Sequence, residues 1–356
     1  LIQIFLDQNT VRRIRLKLEV PMSYSKAFLP LTVVLLFLCL PAANKAQQAS
    51  QQPLLPAPSA SPSASPTPSN ATGVANESVL VNTDLISFNV TVTDTFGRFV
   101  AGLKKDAFSV FDENRQQAIS FFSDDDAPVS IGVVFDLTGS MSGEKVKRAK
   151  DALAHFFDTS LDRDEYFLVT LQGGRAFLTM DRTRDSKALL DSLTFVQAKG
   201  NTAFYDGVYL ATERVQRGTY PKRAVLVISD GQDNNSRYTF NDLRKMLKES
   251  DVTIYSVGIE ESGSGSLALE GSGTLDEISG VSGGKSFFPR TSAEMDDIFE
   301  QIALELRHQY SIGYRPPDFV NNGKWHRIKV KVTPPRGMPR MSVRSKEGYF
   351  ALANPK

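Results

Sequence analysis

Between Ser130 and about Glu305 the rhythm of apolar positions alternates between two periods. Ile131–Phe135, Tyr166–Leu171, Ala224–Ser229 and Thr253–Val257 are short unbroken apolar runs rich in Val and Ile, the pattern of strands covered on both faces. Between them lie stripes of helical period: Val146, Ala149, Leu153, Phe156 and Phe157; Leu189, Leu190 and Leu193; Val208, Leu210, Ala211 and Val215; Leu243, Met246 and Leu247; and Met295, Ile298, Phe299, Ile302 and Leu306. Strand and helix in repetition predict an α/β fold, a doubly wound, mostly parallel sheet with helices on both faces.

On either side of this region the period is two. Leu85, Ser87, Asn89, Thr91 and Thr93 interleave with Ile86, Phe88, Val90 and Val92, a half-buried strand that turns at Thr95-Phe96-Gly97-Arg98 and continues through Phe99–Leu103. Phe108–Phe111 and Ile119–Phe122 are two further short strands. After Arg307, Tyr310, Ile312 and Tyr314 share one face, and Trp325, Ile328, Val330 and Val332 fill a later strand before the turn at Pro334–Pro339. Residues 79–126 and 308–356 are therefore expected to form small β modules flanking a domain at 127–307. Their matching pattern predicts that they lie close together, either in one sheet of their own or as an extension of the central one.

Gln47–Ser69 has no apolar period; its Pro, Ser, Ala and Gln cannot bury enough surface to offset the entropy of ordering, so 47–78 reads as an extended tether. The apolar run Ala27–Leu40 follows Lys26 and leads to Ala42, Ala43 and Ala46. That is the layout of a secretory signal, with Met22 as its start and residues 1–46 as upstream sequence plus signal. An uncleaved anchor is the alternative, and would be the chain's one link to a membrane. The expected location is exported: periplasmic, cell-envelope or secreted.

Charge narrows the partners. The net +1 is carried by residues 1–46, with six basic and two acidic residues; the remaining 35 basic and 38 acidic residues leave a net −3. Nucleic acid is not an expected partner. Cys39, inside the apolar run, is the sole cysteine, so the folded part has neither a disulfide nor a cysteine metal site.

The candidate chemistry lies where the predicted strands end, the usual ligand position in open α/β sheets. Val133–Met141 reads V-V-F-D-L-T-G-S-M, placing Asp136, Thr138 and Ser140 at two-residue spacing; Gly200-Asn201-Thr202 and Ser229-Asp230-Gly231 follow later. Carboxylates and hydroxyls without His or Cys suit Mg²⁺, Mn²⁺ or Ca²⁺ rather than zinc. Asp206 reads as a hydrogen-bonding residue at a helix start, and Asp233-Asn234-Asn235 as a turn beside the site. Taken singly, Asp136 would read as a helix cap.

These segments resemble the von Willebrand factor type A domain and its metal-ion-dependent adhesion site, with the pattern D-x-S-x-S, then Thr, then Asp. The resemblance implies a Rossmann-like fold over about 175 residues and one divalent cation, Mg²⁺ foremost. It implies that Thr138 and Ser140 coordinate directly, that Thr202 supplies the later hydroxyl, and that Asp136 and Asp230 act largely through water. It also implies a coordination position open to an acidic side chain of a protein partner, hence binding rather than catalysis. The last helix, about Ser292–Arg307, shifts on ligand binding in relatives of this fold. Thr138 stands where Ser is usual. N-V-T-V-T-D-T-F-G-R-F-V-A-G-L before the domain, and L-R-H-Q-Y-S-I-G-Y-R-P and G-Y-F after it, extend the likeness to exported bacterial "VWFA-related" proteins.

A second reading is enzymatic. F-D-L-T-G-S also resembles the first motif of haloacid-dehalogenase-type phosphotransferases, in which Asp136 would be the nucleophile and Asp230 and Asp233 would hold Mg²⁺. That chemistry needs a Lys near the phosphoryl group, and Lys222 precedes its strand instead of ending one. No phosphate-binding glycine motif follows a strand, and Gly263–Ser266 reads as a flexible loop.

Overall fold

The computed structural model describes residues 85–351, apart from 142, 195, 197, 260–265 and 317–322. The expected signal segment, Cys39 and the expected tether lie outside them. Among the described residues no helix is long and apolar enough to cross a membrane.

A six-stranded sheet forms the centre. Its members are β5 (Val129–Asp136), β6 (Glu165–Gln172), β7 (Arg175–Thr183), β8 (Lys222–Ser229), β9 (Thr253–Gly258) and β10 (Lys285–Phe287), in the order β10-β9-β8-β5-β6-β7. All pairs are parallel except β6–β7. Every residue of β5 is buried, as its continuous apolar run requires. Val133 and Phe135 join the core under α1 (Glu144–Thr159), α2 (Ser186–Thr194) and α6 (Ser292–Arg307). Val134 points the other way, into the core under α3 (Phe204–Gln216), α4 (Phe240–Glu249) and α5 (Ser266–Ser282). The sheet is thus doubly wound.

The flanking strands build their own body. β1 (Ile86–Asp94), β4 (Ile119–Ser123), β11 (Tyr310–Tyr314) and β13 (Met341–Ser345) form one antiparallel sheet, in the order β13-β1-β11-β4. β2 (Phe108–Asp112), β3 (Arg115–Gln117), β12 (Trp325–Val332) and β14 (Gly348–Phe350) form a second, ordered β14-β12-β2-β3. One core joins both, with Phe88, Val90, Phe108, Val110, Tyr310, Tyr314, Ile328 and Tyr349 buried together. Segments from the two ends therefore share both sheets without extending the central one. Ser123 pairs with Ser311 across β4 and β11, so the α/β unit leaves and re-enters this sandwich at adjacent strands.

Buried charge ties the last helix to its neighbours. Glu305, only 1% exposed, accepts hydrogen bonds from Thr91 Oγ1 at 2.9 Å and Tyr255 Oη at 2.7 Å, and pairs with Arg344 of β13. Two residues on, Arg307 pairs with the fully buried Asp164 at 2.6 Å.

The structure adds elements that the sequence pattern did not predict. α5, β3, β7, β10, β13 and β14 are new; of the expected loop Gly263–Ser266, only Ser266, the first residue of α5, is among the described residues. The predicted continuation Phe99–Leu103 is not a strand; Phe99 makes only an isolated bridge to Thr93.

Candidate metal centre

Parallel β5 and β8 end side by side, with Phe135 opposite Ile228, so the next residues, Asp136 and Ser229, are neighbours by register alone. Asp136 is fully buried. Its Oδ1 accepts from the backbone N–H of Thr138 at 3.0 Å and from Thr138 Oγ1 at 2.6 Å, while Oδ2 accepts from Ser229 Oγ at 2.6 Å. These short O–H···O⁻ bonds are charge-assisted. They also set direction: with its proton held by Asp136, the Thr138 hydroxyl turns its lone pairs away from the carboxylate.

The other predicted oxygens lie on that outward side. Thr202 Oγ1 donates to Thr138 Oγ1 at 2.9 Å, and Ser140 Oγ lies 3.5 Å from the same atom. The first two loops are joined by backbone bonds, Gly139 N–H to Gly200 O at 3.2 Å and Lys199 N–H to Leu137 O at 3.0 Å. Asp230, 7% exposed, makes no direct bond to the hydroxyls among those described, but its charge acts on Asp136. Thr138 is buried and Thr202 nearly so, whereas Ser140 is exposed, so the cluster opens to solvent on the Ser140 side.

Burial pushes the Asp136 carboxyl up to about 6, with the charge of Asp230 adding to the effect and the hydrogen bonds from Ser229 and Thr138 opposing it. A buried carboxylate held this way gains from a cation nearby. The donor set fits one: hydroxyl and carboxylate oxygens with neither nitrogen nor sulfur, suited to a hard divalent ion. Among the described residues no three His, Cys, Asp or Glu side chains converge as metal ligands, so any cation here would rely on hydroxyls.

Neighbouring carboxylates have other work. Asp206 accepts from the backbone N–H groups of Arg237 at 2.9 Å and Tyr238 at 3.0 Å, bracing the loop before α4. Asp233 accepts from Phe204 N–H at 2.8 Å and from Ser236 Oγ, which occupies it at the start of α3. Asn234 Oδ1 accepts from Thr202 N–H at 2.9 Å, fixing the later hydroxyl. Ser229 is the residue that motif reading passed over: its Oγ donates to Asp136 and accepts from Gly231 N–H at 3.1 Å, joining the first and third loops. Its position directly before Asp230 was the available signal.

The third loop is held from behind by α5. A Cβ on Gly271 would lie 2.2 Å from the carbonyl oxygen of Asp230, and one on Gly231, whose φ is +75°, would lie 2.4 Å from the carbonyl oxygen of Gly271. Only glycine permits this backbone-to-backbone seat.

Residues 131–232 match the family model of the von Willebrand factor type A domain. No curated protein matches the chain. Among solved structures, the chain is similar to the conserved hypothetical protein BatB from Bacteroides thetaiotaomicron, at 20% identity over 50% of this chain and 98% of that one, with a TM-score of 0.40. It is similar to a von Willebrand factor type A protein from Catenulispora acidiphila, at 14% identity over 74% of this chain and 73% of that one, TM-score 0.43. It is also similar to the PilB minor pilin from Streptococcus sanguinis, at 13% identity over 55% and 64% of the two chains, TM-score 0.40.

Proposed function

Since the chain carries a von Willebrand factor type A domain, we propose that it is an exported protein-binding module, of adhesive or scaffolding kind, whose domain holds one divalent cation that bridges to a carboxylate of a protein partner. Thr138, Ser140 and Thr202 would be the direct ligands, with Asp136 and Asp230 supplying negative charge behind them. Mg²⁺ suits a small, largely neutral hydroxyl set best, with Mn²⁺ and Ca²⁺ as alternatives. Few charged ligands leave the cation electron-poor, able to accept an acidic group from outside.

The observation that carries this reading is the chain of hydroxyls from Thr202 to Thr138 to Ser140, seated on buried Asp136 and open at Ser140. The phosphotransferase reading lacks such support. Lys222 donates to Asp125 O at 2.8 Å and pairs in register with Val129, a full strand length from Asp136. Asp233, the second acidic residue it requires, serves the start of α3.

The test is a titration of the full chain with Mg²⁺, Mn²⁺ and Ca²⁺ by calorimetry, followed by capture from envelope extract with and without EDTA. Saturable binding lost in Asp136→Ala, with EDTA-released capture of a partner, is expected. Absence of metal binding, or turnover of phosphate esters abolished by Asp136→Asn, would overturn it.

A further inference from the structure

A cavity of about 510 Å³ opens beside the hydroxyl cluster, between the start of β7, helix α3 and the loop leading into α4. Asn235 is the wall it shares with the cluster: its N–H donates to Thr202 O at 3.0 Å, and its side chain donates to Gly174 O at 2.7 Å. One side is flat and aromatic. The rings of Tyr209 and Tyr238 stack at 4.0 Å with 11° between their planes, Leu210 lies next to them, and Tyr238 is 39% exposed.

The polar lining carries a sign. Its carboxylates are engaged: Asp206 by two backbone N–H groups and the Arg237 guanidinium at 3.3 Å, and Glu213 by Arg217. Arg175 makes no ion pair among the described residues. The groups left to meet a ligand are therefore guanidinium donors beside an aromatic face. An aromatic side chain bearing a hydrogen-bond acceptor answers both, stacking or packing edge-on against the tyrosines while its oxygen faces arginine.

We propose that this cavity receives an aromatic side chain, tyrosine foremost, from the same partner segment that offers its carboxylate to the cation. The identity of that segment rests on the metal-bridging reading; the chemistry of the cavity does not. A guanidinium rim also favours an acidic segment over a basic one.

The test titrates N-acetyl-tyrosinamide into the nitrogen-labelled full chain and follows amide resonances. Saturable shifts at Gly174, Asn235 and Tyr238 are expected, equal in EDTA and in Mg²⁺, and absent with N-acetyl-alaninamide. Tyr238→Ala, folded by its melting curve, should weaken binding about tenfold, the scale of one aromatic contact, and Arg175→Ala should weaken tyrosinamide more than its phenylalanine analogue. A short peptide carrying both Asp and Tyr should bind more tightly in Mg²⁺ than in EDTA, with only that gain lost in Asp136→Asn. No response to the blocked tyrosine, or preferential binding of methyl glucoside, would overturn the aromatic assignment. Tyrosinamide binding without any Mg²⁺ gain for the peptide would uphold the aromatic cavity, overturn its link to the cation and point to failure of the metal-bridging reading.

Discussion

Replacing Asp136 by Asn removes one buried charge while keeping the side chain's size, and the structure sets the sign and scale of the result. Burial raises the Asp136 carboxyl from the ordinary aspartate value of 3.8 to about 6, so the metal-free folded state binds its proton more tightly than the unfolded chain does. The stability this contributes is fully present below 3.8 and is lost as pH rises through about 6. A shift of that size corresponds to about 3 kcal/mol. In EDTA, the stability of Asp136→Asn relative to the parent should therefore rise by about 2.5 kcal/mol between pH 4 and pH 7.5, the first part of the change falling below pH 4. Taking the difference between the two proteins cancels the other titrating groups.

A saturating divalent cation should offset most of that gain at neutral pH. It stabilises the parent by mass action, about 2.7 kcal/mol at one hundred times Kd, and leaves the variant unmoved. Urea unfolding followed by circular dichroism, at several pH values with and without Mg²⁺, measures both effects. A stability difference that stays constant from pH 4 to pH 8 would refute the electrostatic argument. An undiminished response of Asp136→Asn to Mg²⁺ would refute the metal centre.

Thr138→Ser should keep Mg²⁺-dependent stabilisation, since the hydroxyl bonded to Asp136 is retained, whereas Thr138→Ala should abolish it; thermal melts with and without EDTA decide. Gly271→Ala should cost about 1–3 kcal/mol through overpacking and weaken the metal response, because its Cβ would lie 2.2 Å from the Asp230 carbonyl oxygen. Gly273→Ala, with nothing within 4 Å of its Cβ, should stabilise α5 by about 0.5–1 kcal/mol, and the pair measured by urea unfolding separates packing from helix propensity. Arg344→Met leaves Glu305 buried without its cation and should cost about 3 kcal/mol; adding Glu305→Gln should recover part of that loss in a double-mutant cycle.

The central sheet was legible in the sequence because β5, β6, β8 and β9 are covered on both faces, which demands unbroken apolar runs. α5 was not. Its buried stripe of Leu275, Ile278 and Val281 is diluted by Gly271, Gly273 and Gly280, residues that disfavour helix. The close seat on Asp230 makes Gly271 necessary, so a position that reads locally as a helix breaker is required by tertiary packing. β7 does alternate, with Ala176 and Leu178 facing the core between exposed Arg175, Phe177 and Thr179, but as an antiparallel edge it breaks the strand–helix repeat that guided the reading.

The candidate site shows why residue type alone is insufficient. Asp136, Asp206, Asp230 and Asp233 all lie in or beside the same loops, and a list of carboxylates cannot rank them. Accepted hydrogen bonds do so. Asp206 and Asp233 take backbone N–H groups from other segments, the role of a strut or helix cap, and have little left for a cation. Asp136 takes two hydroxyl protons and one N–H from its own loop, which aims the Thr138 lone pairs outward. Asp230 accepts the Gln232 N–H at 3.1 Å, keeping its turn closed while its charge still reaches Asp136. Ser229, though it stands in the third segment, had no assigned role because that role exists only once parallel pairing of β5 and β8 sets it beside Asp136. Motif spacing can place the oxygens of one loop, but which oxygens face one another is decided by strand register.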